Sequence, residues 1–295
     1  MMTLSNVAGA PERRKLGRTG AELSVIGFGA IVLMGYEQPE CNRIVRSAHD
    51  AGVNYFDVAP SYGAGEAEEK LGPALAGLRD ASFLACKTAE RSRDGARAEL
   101  EQSLRRLQTD RFDLYQLHGL ASMDELDRAT ASGGALEILA EARQEGKARF
   151  LGFSAHSVEV ALEAMARFDF DTVLFPLNYV CWHRGGFGQE VVAEAVRRNM
   201  GILALKSLAR RPWSAGEERK YGNCWYHPID DEAEAADALG FTLSLPVTAL
   251  LPPGDARLFA LALDIAARTA QWTAPDLDRL MQRSEGVEPI FKRSA

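Results

Sequence analysis

An aspartate, a lysine and a histidine stand at or just past the ends of three successive apolar runs, and a tyrosine follows the aspartate by five residues. The runs are 53–58, which contains Asp57 and leads to Tyr62, 83–86, followed by Lys87, and 112–117, followed by His118. A phenol beside an ammonium suits proton transfer to an oxygen. A free phenol titrates near about 10, too weak an acid at neutral pH, and a positive charge nearby favours the phenolate and lowers that value. Lys87 supplies the charge. Burying an ammonium is costly unless it is paired, and Asp57 is the available counter-ion. His118 can donate a hydrogen bond to a carbonyl oxygen and hold it beside the Tyr62 hydroxyl. Singly, each residue has an ordinary use in capping a strand or packing under a loop. Three at successive strand ends with the tyrosine in the loop after the first of them are a constellation.

The elements that must position them repeat along the chain. Eight short runs rich in apolar, β-branched or aromatic residues, 23–28, 53–58, 83–86, 112–117, 149–153, 172–175, 202–205 and 246–250, read as buried strands. Stretches with helical spacing lie between them at 40–51, 66–78, 95–107, 134–144, 158–167, 189–198 and 231–243, and one more, 255–268, follows the last strand. This alternation demands parallel strands with helical crossovers, and the count of eight favours a closed (β/α)8 TIM barrel over an open sheet. The expectation is one α/β barrel domain over residues 1–295, with 1–12 as a flexible tail and a hairpin over 13–26 plugging the N-terminal end. Ser157 is expected to cap a helix, and Gly146 and Gly201 to end helices in the left-handed conformation. Residues 209–233, after the seventh strand, form the longest connection without periodicity. Active sites of such barrels lie at the C-terminal ends of the strands, so the four residues converge on one mouth and the long loop borders it.

Composition excludes several classes. With 34 Lys+Arg against 41 Asp+Glu and 46% hydrophobic residues, the chain is neither disordered nor equipped with a basic stripe for nucleic acid. The four cysteines, Cys41, Cys86, Cys181 and Cys224, are too far apart for a zinc site or a disulfide framework. Neither a basic leader nor about 18 uninterrupted apolar residues occur, so no membrane partner and a cytoplasmic location are expected. No metal is expected at the mouth, where Lys87 between Asp57 and His118 would repel a cation. No oligomer is predicted.

The segments Leu16-Gly17-Arg18-Thr19-Gly20, Ile26-Gly27-Phe28-Gly29, Phe56-Asp57 with Tyr62-Gly63 and Glu66…Leu71-Gly72, Lys87, Asp113 to His118, and Gly146-Lys147-Ala148-Arg149 with Gly152-Phe153-Ser154 run in order across roughly the first 155 residues. Together they resemble the aldo-keto reductase family of NAD(P)H-dependent barrel oxidoreductases. The resemblance implies hydride transfer from a nicotinamide to the carbonyl carbon of a small aldehyde or ketone. It implies Tyr62 as general acid, Lys87 and Asp57 as its tuning pair, and His118 as the orienter of the carbonyl. Two alternatives stay open: a barrel of the same family that binds the cofactor with little turnover, and a metal-dependent barrel isomerase or hydrolase.

The second half departs from the commoner family pattern. Gly29 and Asp57 in the first half are expected against the cofactor, which the resemblance makes NADPH, with NADH possible. After the fifth strand stand Ser154, Ala155 and His156, where Ser154 can hydrogen-bond the carboxamide and His156 either replaces a missing donor or is a surface histidine. Asn178 is the candidate polar contact after the sixth strand. After the seventh, Lys206 and Ser207 stand where pyrophosphate is expected. After the eighth, Gly254 allows close backbone approach at a helix N-terminus and Arg257 can meet a phosphate, whereas Asp255 opposes an extra anion. A preference for NADPH over NADH of about tenfold or less is therefore expected. Trp182, Trp213, Trp225 and Tyr226 either wall a substrate pocket or fold the long loop onto itself.

Overall fold

A computed structural model describes residues 9–269 and 271–293. Strands β1 (Arg13–Lys15) and β2 (Glu22–Ser24) pair antiparallel as the expected hairpin. Eight strands then follow one another around a parallel barrel: β3 (Phe28–Gly29), β4 (Tyr55–Asp57), β5 (Phe83–Thr88), β6 (Phe112–Leu120), β7 (Ala148–Ala155), β8 (Thr172–Pro176), β9 (Gly201–Leu205) and β12 (Ala249–Leu251). The barrel closes where the Gly27 N–H donates to Leu250 O at 2.9 Å and the Leu250 N–H donates to Val25 O at 2.8 Å. The first expected strand, 23–28, is thus split, its start serving the hairpin and its end the barrel.

Alternation along the strands creates two cores. Tyr55, Phe83, Ala85, Leu114, Leu174, Leu203 and Ala249 point inward and pack with Leu16 and Leu23 of the hairpin segment, so the N-terminal end of the barrel is plugged by side chains. Their neighbours, such as Phe56, Leu84 and Tyr115, point outward into the larger core beneath the helices. Only the C-terminal end of the barrel is left to open as a mouth.

The expected helices are present as α1 (Gln38–Asp50), α2 (Glu66–Ala74), α3 (Arg93–Arg106), α5 (Ala135–Gln144), α6 (Val158–Arg167), α8 (Gln189–Arg197), α9 (Glu232–Ser244) and α10 (Ala256–Arg268). Three more, α4 (Met123–Thr130), α7 (Tyr179–Gly185) and α11 (Leu277–Arg283), span seven or eight residues each, too short to show a period. Ser157 caps α6 as expected, its Oγ accepting from the Val160 N–H, and Gly146 is left-handed at φ +74°. Gly201 is not a helix terminator. Asn199 takes the left-handed position at φ +53°, and Gly201 opens β9, where a Cβ would strike the side chain of Leu16.

Two further expectations change. Within 209–233, β10 (Ala209–Pro212) and β11 (Tyr226–Pro228) form an antiparallel pair, and the chain between them is tied by the Arg211–Glu217 ion pair at 2.8 Å. The strap is therefore built rather than structureless, although strands this short leave no readable alternation. Of the tail expected over 1–12, residues 1–8 lie outside the described part. Pro11 is buried and Glu12 O accepts from the Val25 N–H at 2.9 Å, so that stretch belongs to the fold.

Near the plugged end, Asp113 at the start of β6 accepts from Arg79 Nη1, Arg149 Nη1 and the Leu84 N–H, each at 3.0 Å. Its carboxylate ties β5, β6 and β7 together far from the mouth. Removing it leaves the buried Leu84 N–H without its acceptor and breaks both ion pairs, although Arg79 keeps Thr109, Ser82 O and Arg111 O, so Asp113→Ala should lower the unfolding free energy by about 2 kcal/mol in urea denaturation. A loss below about 1 kcal/mol would show that the cluster is not a structural tie.

Candidate active site

On β4, Tyr55 and Asp57 are two residues apart and face the same side of the strand. The Tyr55 hydroxyl donates to Asp57 Oδ2 at 3.1 Å. The other carboxylate oxygen, Oδ1, is paired with Lys87 Nζ, which also donates to Val58 O at 3.1 Å. Both charges are shut away from water, with Asp57 1% and Lys87 0% exposed. Burial pulls the lysine toward neutrality, but Asp57 and then Tyr62 outweigh it and hold its pKa above the ordinary value. The lysine is a fixed ammonium. Tyr55 was not singled out from the sequence, although its position two before Asp57 on one strand was a readable signal.

Tyr62 begins the 3-10 turn Tyr62–Gly65, anchored by its N–H to Ala59 O at 3.0 Å. Gly63, Ala64 and Gly65 follow at φ +63°, +54° and +103°. Left-handed backbone at Ala64 is strained, a cost of about 1–3 kcal/mol that recurs where a site fixes its geometry. This turn brings the Tyr62 ring to 5.2 Å from Lys87 Nζ and edge-on to His118, with centroids 5.9 Å apart at 84°. The four residues read from the sequence therefore meet at one place. Burial raises the phenol and Lys87 offsets it in part, so Tyr62 stays above its ordinary value rather than below it as expected.

His118 lies where β6 breaks register with β7. Gly119 turns left-handed at φ +64° and donates its N–H to Ser154 Oγ at 2.7 Å, and Arg91 Nη2 donates to His118 O at 2.7 Å. Arg91 is a second residue the sequence reading missed. Burial first, then Lys87, pushes the His118 imidazole down to about 3. It is neutral, and a neutral imidazole can donate from one nitrogen.

The expected cofactor residues divide. Ser154, 1% exposed, accepts from Gly119 and keeps its own hydroxyl proton to donate. His156 stacks on Phe291, centroids 5.3 Å apart at 11°, and burial followed by Lys206 lowers it to about 4. Asn178 caps α7, its Oδ1 accepting from the Cys181 N–H at 2.8 Å, and among the described residues its amide NH2 has only the Cys181 sulfur at 3.4 Å. The Ser207 hydroxyl is buried without a partner among the described residues. Arg257 pairs with Asp255, Nη2 to Oδ2 at 2.9 Å, and lies 4.6 Å over the Tyr221 ring. A Cβ at Gly254 would come within 2.7 Å of Ile31, whereas one at Gly29 would touch Ile31 at an ordinary 3.9 Å. Beside Gly254 a cavity of about 190 Å³ runs between Val32, Met34 and Tyr36 on one side and Gly222 and Asn223 of the strap on the other. It continues into a groove of about 1060 Å³ between α1 and the start of α10.

Of the aromatic residues, Trp182 packs on Phe241 and Trp213 donates Nε1–H to Cys224 O at 2.8 Å, both serving the fold. Trp225 and Tyr226 bracket Lys206, and Phe291 approaches Trp225 at 5.9 Å. Phe291 reaches the mouth because Arg279 and Arg283 of α11 bind Asp237 of α9 at 2.7 and 3.0 Å, which fixes the C-terminal segment. Among the described residues no group of three His, Cys, Asp or Glu could hold a metal ion, and no helix is long and apolar enough to cross a membrane.

Residues 25–223 match the sequence profile of the aldo/keto reductase family, more than half of the chain. The chain belongs to the aldo/keto reductase family. The match extends past residue 155, where the motif resemblance ends. This aldo/keto reductase is 33% identical over 240 residues to 6-dehydroglucose reductase of Novosphingobium aromaticivorans, covering 72% of each chain. It is 32% identical over 178 residues to an uncharacterized oxidoreductase of Bacillus subtilis, YqkF, and there the match spans 56% of each. Its fold superimposes with a TM-score of 0.70 on an aldo-keto reductase from Klebsiella pneumoniae in complex with NADPH, at 21% identity, covering 97% of this chain and 98% of that one.

The two depressed histidines give this aldo/keto reductase a testable pH signature. An unfolded histidine takes its proton near 6.5, whereas His118 and His156 hold off until about 3 and 4. The stability they contribute is complete above the unfolded value and is lost as pH falls from there toward the folded values. Histidine NMR titration should show both rings still neutral at pH 5, with the melting temperature falling between pH 7 and 5. A midpoint above 6 for His118 would contradict the assignment.

Proposed function

We propose that the protein is an NAD(P)H-dependent reductase of aldehydes or ketones, with Tyr62 as the general acid. The observation that carries the reading is the Tyr62 phenol beside an ammonium held by a buried carboxylate and beside a neutral imidazole. A substrate carbonyl oxygen placed between Tyr62 and His118 receives a hydrogen bond from each. As negative charge grows on that oxygen, Tyr62 gives its proton, and Lys87 stabilises the phenolate left behind. His118, neutral at every working pH, orients the oxygen and does not compete to deliver a proton.

The residues present fit a nicotinamide dinucleotide. The Ser207 hydroxyl, without a partner among the described residues, and the donor kept by Ser154 are polar groups such a ligand can meet, and the cavity beside Gly254 leads from the strap to the groove along α1. Gly29, Ser154, His156, Asn178, Ser207 and Gly254 would line its path, with Ser154 keeping a donor for a carboxamide. NADPH, the molecule in the Klebsiella complex, supplies the hydride to the carbonyl carbon when bound. Arg257 is already engaged by Asp255, which supports the expected weak discrimination between NADPH and NADH. A cofactor-binding role without turnover has no observation in its favour, since all four reacting groups stand together.

Tyr62→Phe keeps the ring and removes the acid. It should lower kcat for a small-aldehyde panel by about 10²–10⁴-fold, the usual weight of general acid catalysis, with NADPH affinity by fluorescence titration little changed. Turnover equal to the wild type would refute the assignment.

A further inference from the structure

Lys206 follows β9 at the mouth and has no use in the mechanism above. Its backbone is left-handed at φ +67°, closed by the Ala209 N–H donating to Lys206 O at 2.9 Å. A lysine adopts that conformation only where its surroundings hold it there. The ammonium lies 5.4 Å from the Trp225 ring centre and 5.0 Å from that of Tyr226. Two aromatic faces soften the cost of partly burying a cation but do not neutralise it.

Neighbouring cations all have acceptors. Lys87 has Asp57, Arg91 has His118 O, Arg210 has Glu234 and Arg257 has Asp255. Among the described residues, no carboxylate or backbone oxygen accepts from Lys206 Nζ. The titratable groups around it bring no charge either. His118 on β6 and His156 after β7 are neutral, while burial pushes the Cys224 thiol up to about 11 and the Tyr226 phenol well above its ordinary value. Burial pulls Lys206 itself down to about 8, so it still carries its charge at pH 7. Trp225 meets Phe291, and Phe291 stacks on His156, so the cation lies on the same side of the mouth as His156. Lys206 does not line the cavity beside Gly254.

We propose that Lys206 anchors a carboxylate on the substrate, so that this enzyme acts on carbonyl compounds carrying an anionic group, a reading that rests on carbonyl reduction and narrows its substrate class. Trp225, Tyr226 and the stacked pair His156–Phe291 wall the mouth with aromatic surface suited to the body of such a molecule.

The test compares 4-carboxybenzaldehyde with its methyl ester, together with NADPH affinity, in the wild type, Lys206→Met and Lys206→Arg. A charge-assisted contact should make kcat/KM for the carboxylate at least about tenfold higher than for the ester. Lys206→Met should bring the two substrates level, Lys206→Arg should keep most of the difference, and NADPH affinity should change little. The preference should also fade as pH rises through 8. Equal use of both substrates by the wild type overturns the proposal, as does a preference that survives Lys206→Met while NADPH binding weakens, which would give the cation to the cofactor. If neither aldehyde is reduced, the carbonyl-reduction reading fails, and calorimetry with benzoate still decides: binding lost in Lys206→Met supports the anchor, and no binding to the wild type overturns it.

Discussion

A lysine with no exposed surface keeps its proton because one carboxylate stands against it, and the rest of the mouth is arranged around that pair. Asp57 holds Lys87 charged, Tyr55 adds a hydrogen bond to the carboxylate and Val58 O one to the ammonium, and that ammonium faces a phenol. Removing either partner would leave an unpaired charge in the barrel, an arrangement that costs several kcal/mol and usually ends with the group neutral. The same positive charge contributes to keeping His118 neutral, so one ion pair bears on both groups proposed to meet the carbonyl oxygen. It also explains why β4 and β5 must be neighbours: register pairs Asp57 with Ala85, which places Lys87 two residues further toward the mouth.

The reacting constellation and the barrel were legible because they rest on strong local signals. Asp57, Lys87 and His118 close apolar runs, and alternation along a strand decides which side chains reach the interior. What was not legible depends on groups distant in sequence or on very short elements. Arg91 fixes the backbone of His118 from 27 residues away, and Phe291 reaches His156 through ties made far along the chain, Asp237 of α9 to α11 and the Arg293 N–H to Gly185 O. The β10–β11 strap escapes pattern reading because three or four residues cannot show alternation. Gly201 looked like a helix terminator, but the constraint on it is Leu16, 185 residues earlier, pressing on the strand from inside the barrel.

The cofactor side was the least readable for a related physical reason. Asn178 and Arg257 are polar residues at the expected places, yet the fold has already engaged them, one as a helix cap and one in an ion pair. A sequence shows which groups a chain carries, whereas availability depends on partners that only the packed structure brings near. Lys206 is the converse case, a cation whose ammonium meets two aromatic rings and has no ion-pair or hydrogen-bond partner among the described residues.

The central claim is that the ammonium of Lys87 tunes Tyr62, and the pH–rate profile of Lys87→Met tests it most directly. Without the cation the phenol loses its only stabilising charge, so turnover should fall and the alkaline limb of carbonyl reduction should move to higher pH. A variant that folds and gives a profile overlaying the wild type in height and shape would contradict the account.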